Sequence, residues 1–338
     1  MVNKYSKITL AHGSGGKLTH ELINQIFLPH FKNDVLSQLH DSAILQLNGE
    51  TLAFTTDSYV VKPLFFPGGD IGKLAISGTV NDLSVVGAKP LCLSVGFIIE
   101  EGFDISMLER IVTSMKDTAS IAGINIVTGD TKVVDSGSAD GLFINTCGIG
   151  TIAYKTSLSI SNIEPGDKII INGTIGDHGL AVISERESLD FNPPIESDCA
   201  PLNEMIQKLI NSGANIKFMR DPTRGGLATT LNEIVNTEKY GILVDEKNIP
   251  IKDDVRALCE ILGYDPLYIA NEGKVVIVAS SSDTYKILDI LRKDSFGKDA
   301  EIIGAIVNEP KGKVYLKTVI GGTRVLDMLV GDQLPRIC

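Results

Sequence analysis

Three neighbouring segments in the first half of the chain decide the fold. Residues 51–61 read TLAFTTDSYVV, residues 71–87 read IGKLAISGTVNDLSVVG, and residues 91–99 read LCLSVGFII. The outer two are short apolar runs typical of strands, and the middle one repeats its apolar positions at helical spacing. The order strand, helix, strand predicts a layered domain that combines helices with a sheet.

The same alternation continues through the rest of the chain. Asp104 is a predicted N-cap for a helix that ends near Ala122, and a turn signature at residues 164–167, EPGD, precedes a new strand at 168–171. Further strands are predicted at 124–128 and 142–153, and helices around 179–189, 201–212 and 225–239. We therefore predict a mixed α+β fold with a glycine-rich N-terminal segment (1–40), two domains (41–154 and 155–329) and a flexible tail (330–338).

Composition excludes several classes of protein. The 338 residues are 43% hydrophobic and 22% charged, which is enough for two packed cores. A net charge of −11 without a basic stripe argues against a nucleic-acid partner. The chain begins without an apolar leader and contains no apolar run that could span a bilayer, so we expect a cytoplasmic protein without a membrane partner. Five scattered cysteines fit neither a disulfide framework nor a zinc site.

Aspartates at predicted strand ends and helix starts are the strongest chemical signal. They are Asp41, Asp57, Asp82, Asp130 and Asp221. Mg²⁺ prefers oxygen ligands, usually one or two carboxylates together with water and phosphate, so several converging aspartates would suit a nucleotide triphosphate site. Any one of them alone is more often a cap or turn former. Asp82 is the exception, because an unpaired charge within its apolar helix would be unfavourable.

Two glycine-rich segments suggest phosphate binding. They are residues 12–17, HGSGGK, and residues 223–227, TRGGL, of which the second leads into a helix whose N-terminal N–H groups could bind an anion. The first is not a Walker A loop, because Ala11 and Leu18 occupy the positions of its first glycine and its serine or threonine. No dinucleotide-binding GxGxxG follows a strand either. A flexible loop and a helix start without ligand remain equally good interpretations.

The chain ends on a cysteine, Cys338, in a polar segment. A thiol at a terminus could enter a pocket, leave it and meet another protein, and Arg336 could favour its thiolate. A frayed, exposed terminal residue is the simpler interpretation, and position alone favours it.

Together these motifs resemble a known family. They are residues 12–17 (HGSGGK), 56–58 (TDS), 81–83 (NDL), 87–90 (GAKP), 128–132 (TGDTK), 221–226 (DPTRGG), 271–273 (NEG) and 335–338 (PRIC). They are similar to the PurM-like ATP-binding superfamily of aminoimidazole ribonucleotide synthetase, selenophosphate synthetase and thiamin-monophosphate kinase. The terminal motif resembles in particular the HypE family of hydrogenase maturation proteins, and the resemblance covers essentially the whole chain.

The resemblance implies an ATP-dependent carbamoyl dehydratase. The cysteine of such an enzyme receives a carbamoyl group from the carbamoyltransferase HypF. With ATP, the enzyme converts it to a thiocyanate and passes the cyanide to iron held by a HypC–HypD complex, for the [NiFe]-hydrogenase centre. The resemblance also implies a two-domain PurM-like fold that forms a homodimer through its N-terminal sheet, with ATP between the domains.

The resemblance further implies roles for individual residues. The catalytic residues would be Cys338 as carrier, Glu272 as base and Lys132 at the γ-phosphate or the developing oxyanion. An ion pair between Glu272 and Lys274 is an equally good interpretation from sequence alone. Mg²⁺ would be held by Asp41, Asp57, Asp82 and Asp221. ATP would be bound by Gly13, Gly15, Gly16, Lys17, Thr56, Asn81, Gly129, Asp130, Gly225 and Gly226, with residues 13–17 acting as a mobile lid.

Two competing functions remain open at this stage. The first is a small-molecule kinase of the same superfamily, similar to selenophosphate synthetase, in which Cys338 is incidental. The second is a nucleotide-gated scaffold in which ATP only sets the position of the tail. ATP turnover that needs Cys338 and a carbamoyl donor separates the first from a dehydratase, and the mass of the tail peptide exposes the second.

Overall fold

The computed structural model describes residues 7–153, 158–189, 191–235, 239–331, 334 and 336–338. These residues form a five-stranded and a seven-stranded sheet with helices packed on them, and a small two-stranded sheet. The strands are β1 (Ala43–Leu47), β2 (Glu50–Tyr59), β3 (Phe65–Phe66), β4 (Gly69–Asp70), β5 (Ala88–Glu100), β6 (Asn125–Val134), β7 (Leu142–Ile152), β8 (Lys168–Ile171), β9 (Ile216–Arg220), β10 (Gly241–Asp245), β11 (Val276–Ala279), β12 (Glu301–Val307), β13 (Val314–Lys317) and β14 (Thr323–Leu326). The α-helices are α1 (Lys17–Leu22), α2 (Leu28–Phe31), α3 (Ile71–Val85), α4 (Ile105–Ala122), α5 (Asp177–Arg186), α6 (Asn203–Asn211), α7 (Gly226–Val235), α8 (Asp253–Leu262) and α9 (Thr284–Arg292).

The N-terminal sheet has the strand order β1-β2-β7-β5-β6, in which only the β5–β6 pair is parallel. Helices α3 and α4 pack together, and α3 covers one face of the sheet. Residues of β2 and β7 alternate between that buried face and the opposite, open face, as expected for a sheet covered on one side. Phe54 and Ile149 are cross-strand partners on the open face and remain 40% and 39% exposed.

Both covering helices begin at an aspartate. The Asp70 carboxylate accepts from the N–H groups of Gly72 and Lys73. The Asp104 carboxylate likewise accepts from the N–H groups of Ser106 and Met107 in the first turn of α4. Helix α3 is buried on almost every side, because it lies between the N-terminal sheet and elements of the second half. The helix therefore joins the two halves and can carry side chains into the space between them.

The C-terminal sheet has the order β14-β13-β10-β12-β8-β11-β9 and is antiparallel except for β10–β13. Apolar clusters fill both of its faces, one with residues of α7 and the other with residues of α6 and α9. Strand β8, with the sequence KIII, lies in the middle of the sheet and is buried on both faces. This explains why it is a continuous apolar run and not an alternating one.

The mixed α+β fold class and most predicted elements are confirmed, including the helix from Asp104 to Ala122 and the strand at residues 168–171. The strand predicted at 124–128 extends to Val134. Within the N-terminal segment, α1 continues through a π-helical stretch (Ile23–Phe27) into α2, which the glycine-rich prediction did not include. The boundary predicted between residues 154 and 155 lies outside the described residues, and the four domain ranges stay a prediction.

The last three residues are docked, although the sequence predicts a flexible tail. The N–H of Val60 donates to the carbonyl of Cys338 at 3.1 Å, and the N–H of Lys62 donates to that of Arg336 at 3.2 Å. The Ile337 side chain is only 4% exposed within the apolar cluster beneath α3. Backbone pairing and apolar burial together hold this segment in place. Among the described residues, no helix combines the length and the apolar character needed to cross a membrane.

Candidate functional site

A cavity of about 310 Å³ lies between the two halves of the chain. It brings together all four predicted metal ligands, Glu272 and Cys338. The other residues that line it include Gly15, Thr19, His20, Tyr59, Arg220, Arg224 and Glu233. Residues that are more than 200 positions apart in sequence therefore meet in one place.

The carboxylates reach the cavity from different elements of the fold. Asp57 lies on β2, Asp82 on α3, and Asp221 directly follows β9. The hydroxyl of Thr55 donates to Oδ2 of Asp82 at 2.8 Å, and the hydroxyl of Tyr59 donates to Oδ2 of Asp57 at 3.2 Å. Two neutral donors thus orient two acidic side chains on the wall formed by the first half.

Burial and, to a smaller extent, repulsion between the carboxylates raise the pKa values of these acids. Burial is the main cause for Asp82, whose pKa lies well above its usual value, and the charges of Asp57, Asp221 and Asp41 add to it. Burial, followed by the charge of Asp41, raises the pKa of Asp221 to about 8. A cation bound between these carboxylic acids would stabilise their ionised forms.

Cationic side chains also line the cavity, and these were not among the site residues predicted from the sequence. Arg220 contacts Asp41 at 2.8 Å and Glu233 at 3.2 Å, and the second carboxylate oxygen of Glu233 contacts Nε2 of His20 at 3.0 Å. Arg220 directly precedes the motif at residues 221–226, and this position next to Asp221 could have indicated its role. No spacing rule points to Glu233 or His20.

Glu272 is buried and 4% exposed, and within the described part of the chain its Oε1 atom has no hydrogen-bond partner. Burial, followed by the charges of Asp221 and Asp198, raises its pKa well above the usual value. Lys274 instead forms its ion pair with Asp198 at 2.9 Å, and the backbone N–H of Glu272 donates to the same carboxylate at 3.1 Å. Glu272 is therefore held by its backbone while its carboxyl group faces the cavity.

Asp130 and Lys132 lie elsewhere. Both are on the exposed edge strand β6, where the Lys132 ammonium contacts the Asp130 carboxylate at 2.7 Å, and neither lines the cavity. Gly129 lies on the same strand, and a Cβ there would come within 2.4 Å of the Val95 carbonyl oxygen. Gly129, Asp130 and Lys132 therefore lie apart from the cavity that contains Glu272 and Cys338.

Two further predicted nucleotide ligands have structural contacts in the described chain. Asn81 is 1% exposed; its amide group donates to the carbonyls of Ala200 and Glu272 and accepts from the N–H of Leu202, and it does not line the cavity. Thr56 lies on the open face of the sheet and donates to the Thr146 carbonyl at 3.0 Å. Asn81 links α3 to the segment that carries Glu272.

The first glycine-rich loop packs against the second half. The carbonyl of Gly13 accepts from Arg224 at 3.1 Å, and the N–H of Lys17 donates to the Leu329 carbonyl at 2.8 Å. A Cβ on Gly15 would come within 2.7 Å of the Arg224 side chain, and one on Gly16 within 2.3 Å of the Leu329 carbonyl oxygen. Glycine at these two positions therefore allows the loop to approach Arg224 and Leu329 closely, in addition to making the backbone flexible.

The second glycine-rich segment starts α7 in a conformation that favours glycine. Gly225 and Gly226 have φ values of 76° and 60°. A Cβ on Gly226 would lie 2.5 Å from the Ile269 carbonyl oxygen. Gly225 and Gly13 line a second, smaller cavity that also contains Cys338. Both glycine-rich segments therefore border the terminal cysteine.

Within the described residues, no group of three or more histidine, cysteine or acidic side chains is arranged to hold a metal ion by itself. The donor set nevertheless fits Mg²⁺, because this ion usually takes one or two carboxylates and completes its shell with water and phosphate oxygens. The raised pKa values of Asp82 and Asp221 also indicate an excess of negative charge that a divalent cation would relieve.

Comparisons with known proteins agree over nearly the whole chain. The models for AIR synthase related protein, N-terminal domain, and AIR synthase related protein, C-terminal domain, match residues 39–152 and 164–317. Carbamoyl dehydratase HypE of Cupriavidus necator is 45% identical over 336 residues, which cover 99% of this chain and 96% of that protein.

Two solved structures are also similar in sequence and in shape. A HypE–HypF complex matches with a TM-score of 0.86 and 50% identity, covering 91% of this chain and 99% of that chain. HypE in complex with ATP matches with a TM-score of 0.83 and 48% identity, covering 98% of this chain and all of that one, 100%.

Proposed function

Since the chain belongs to the HypE family of AIR synthase related proteins, we propose that it is an ATP-dependent carbamoyl dehydratase whose substrate is carried on its own Cys338. The observation that carries the proposal is the shared cavity of Cys338, Glu272 and the four aspartates. A solved HypE structure that contains ATP supports ATP as the nucleotide, and the name of the Cupriavidus necator relative supports carbamoyl dehydration as the reaction.

The reaction replaces the loss of hydroxide by the loss of phosphate. Mg-ATP, when bound, supplies the phosphoryl group that converts the carbamoyl oxygen of S–C(=O)–NH₂ into a leaving group. Removal of the nitrogen protons and departure of that oxygen as phosphate leave S–C≡N and ADP. The chain must therefore hold the carbamoyl group, accept a proton and exclude water from the phosphorylated intermediate.

The side chains of the cavity suit these tasks. Asp57, Asp82 and Asp221, with Asp41 beside Arg220, would hold Mg²⁺ and its attached phosphates. Glu272 would accept the nitrogen proton, because its Oε1 atom has no hydrogen-bond partner in the described residues and a raised pKa favours proton acceptance near neutrality. The packed loop at residues 13–17 would shield the phosphates from water.

We further propose that the chain forms a homodimer through the open face of the N-terminal sheet. Phe54 and Ile149 are exposed there in adjoining strands, and among the described residues β6 forms an edge of this sheet. Lys132 could then meet a phosphate only by way of a partner subunit, since it lies outside the cavity of its own chain. Phe54→Glu should halve the mass measured by light scattering, whereas Tyr285→Glu, at an exposed site on α9, should leave it unchanged.

We propose HypF and a HypC–HypD complex as partners. The solved HypE–HypF complex supports HypF as the carbamoyl donor, and a HypC–HypD complex that holds iron would accept the cyanide. We place the reaction in the cytoplasm.

Mass spectrometry of the C-terminal peptide tests the function directly. The chain is incubated with HypF, its carbamoyl phosphate substrate and Mg-ATP, and the reaction is repeated with a non-hydrolysable ATP analogue. We expect a carbamoyl adduct on Cys338 that loses the mass of water only when ATP is hydrolysed. Cys338→Ala should fold and bind nucleotide but carry no adduct. An unmodified tail beside an active HypF would favour a small-molecule kinase, and an adduct that is never dehydrated would favour a scaffold.

A further inference from the structure

Every backbone carbonyl of the last three residues accepts a hydrogen bond. The N–H groups of Val60 and Lys62 donate to two of them, those of Cys338 and Arg336. The remaining contacts come from α5. The docked tail is therefore held from two sides, by an extended segment and by a helix.

His178, in the first turn of α5, contacts the carbonyl oxygen of Ile337 through Nε2 at 3.0 Å. A carbonyl can only accept, so Nε2 carries the proton and Nδ1 accepts from the hydroxyl of Ser197 at 2.8 Å. The Ser197 oxygen in turn accepts from the N–H of Cys199 at 3.1 Å. This chain of donors fixes one tautomer of a fully buried imidazole, and burial lowers its pKa, which keeps it neutral.

Arg186, two turns further along the same helix, joins the tail to the extended segment. Its guanidinium donates to the Arg336 carbonyl at 2.8 Å and to the Lys62 carbonyl at 2.8 Å. Residues eight positions apart lie about 12 Å apart along a helix axis and about 80° apart around it, so both side chains can contact one segment that runs alongside the helix. Val182 and Ile183, between them in sequence, lie in the same buried apolar cluster as Ile337.

We propose that this face of α5 is a receptor for the C-terminal backbone, in which His178 and Arg186 are positioning residues that fix the register of the tail and so place Cys338 beside Glu272. The contacts are to main-chain carbonyls, so they constrain the tail without touching the thiol. The proposal rests on the proposed function for its purpose, because only a carrier cysteine needs an exact register at the cavity.

Alkylation of Cys338 tests the receptor without any substrate. The rate of modification by iodoacetamide is read from the mass of the C-terminal peptide, with half-buried Cys92 as an internal reference. His178→Phe keeps a ring next to Phe66 but loses both hydrogen bonds, while His178→Gln keeps a donor. Loss of one hydrogen bond should shift the equilibrium between docked and undocked tail roughly five-fold. We therefore expect about five-fold faster alkylation of Cys338 in His178→Phe, and a return to the rate of the unsubstituted chain in His178→Gln.

Arg186→Met provides an independent variant at the more exposed end of α5, where folding should be unaffected. We expect about ten-fold faster alkylation, because bonds from a charged donor are stronger. Unchanged rates of Cys338 alkylation in folded His178→Phe and Arg186→Met would contradict the receptor proposal. Equal alkylation rates in His178→Gln and His178→Phe would contradict it as well. If His178→Phe fails to fold, Arg186→Met decides alone.

Single-turnover kinetics separate this proposal from the proposed function. In Arg186→Met, carbamoylation by HypF should proceed at least as fast as in the unsubstituted chain, whereas dehydration of the carbamoylated tail should slow with no change in ATP affinity. A general structural defect would slow both steps. If the unsubstituted chain accepts no carbamoyl group, the dehydratase proposal fails, and the alkylation rates still decide whether α5 holds the tail.

Discussion

Removing one negative charge from the cavity should stabilise the protein while it abolishes turnover. In the Asp221→Asn variant the side chain keeps its shape but can no longer ionise. The raised pKa of Asp221, about 8 against an ordinary 3.8, means that the folded chain opposes ionisation that the unfolded chain permits. The stability contributed by this site is therefore fully present below pH 3.8 and is lost as the pH rises through about 8.

The magnitude at pH 7 follows from the distance between that pH and the pKa of the unfolded carboxyl group. At pH 7 the unfolded carboxyl group is about three units above its pKa, which at 1.36 kcal/mol per unit gives an upper limit of about 4 kcal/mol. Asp221 is partly exposed to the cavity, so we expect about half of that, roughly 2 kcal/mol. An unfolding entropy of about 2.1 cal/mol/K for each residue converts this into a melting temperature about 3 °C higher.

Calorimetry without nucleotide or Mg²⁺ measures the effect, with Asp135→Asn as the control because Asp135 is exposed in the turn before β7. The advantage of Asp221→Asn should grow between pH 5 and pH 8 and level off above. Addition of Mg-ATP should raise the melting temperature of the unsubstituted chain more than that of the variant. A variant that melts lower at pH 8, or an advantage that does not depend on pH, would refute the reasoning.

Three further outcomes are expected. Glu272→Gln should abolish dehydration without lowering the melting temperature, because its Oε1 atom has no hydrogen-bond partner in the described residues; a carbamoyl adduct that still loses water would rule out Glu272 as the base. Asn81→Ala removes three buried hydrogen bonds and should destabilise the chain by about 3 kcal/mol in denaturant titrations, and an unchanged midpoint would contradict its linking role. Among the contacts of the described residues, Lys132→Ala removes an exposed ion pair with Asp130, so the melting temperature should be unchanged, and any loss of turnover that depends on dimer formation would locate Lys132 at a partner's site.

The sequence predicted those parts of the fold that follow from local pattern. Asp104 is identified as a helix start because short acidic side chains cap helices, and the KIII strand because a turn signature directly precedes it. The unusual position of Asp82 in an apolar helix indicated a polar environment, and the structure places it at the cavity, where Thr55 donates to it.

The remaining features depend on contacts between distant residues, which local pattern does not encode. Asn81 belongs to a motif, yet its three bonds go to backbone groups more than 100 positions away. Lys132 follows Asp130 in a motif shared with the family, but β6 turns out to be an exposed edge strand. The docking of Ile337 requires α5 and residues 60–62 to meet, and nothing near the tail in sequence indicates that meeting.

The attachment of Cys338 to its own cavity has a kinetic consequence. Seven residues connect Gly331 to the thiol, and so short a tether keeps a carried group at an effective concentration of about millimolar at its own site, however dilute the protein is. Dehydration should therefore be first order and unaffected by dilution, whereas loading and unloading are encounters whose rates fall with partner concentration. In a cell with few copies of these proteins, the supply of cyanide would then be limited by collisions and not by chemistry.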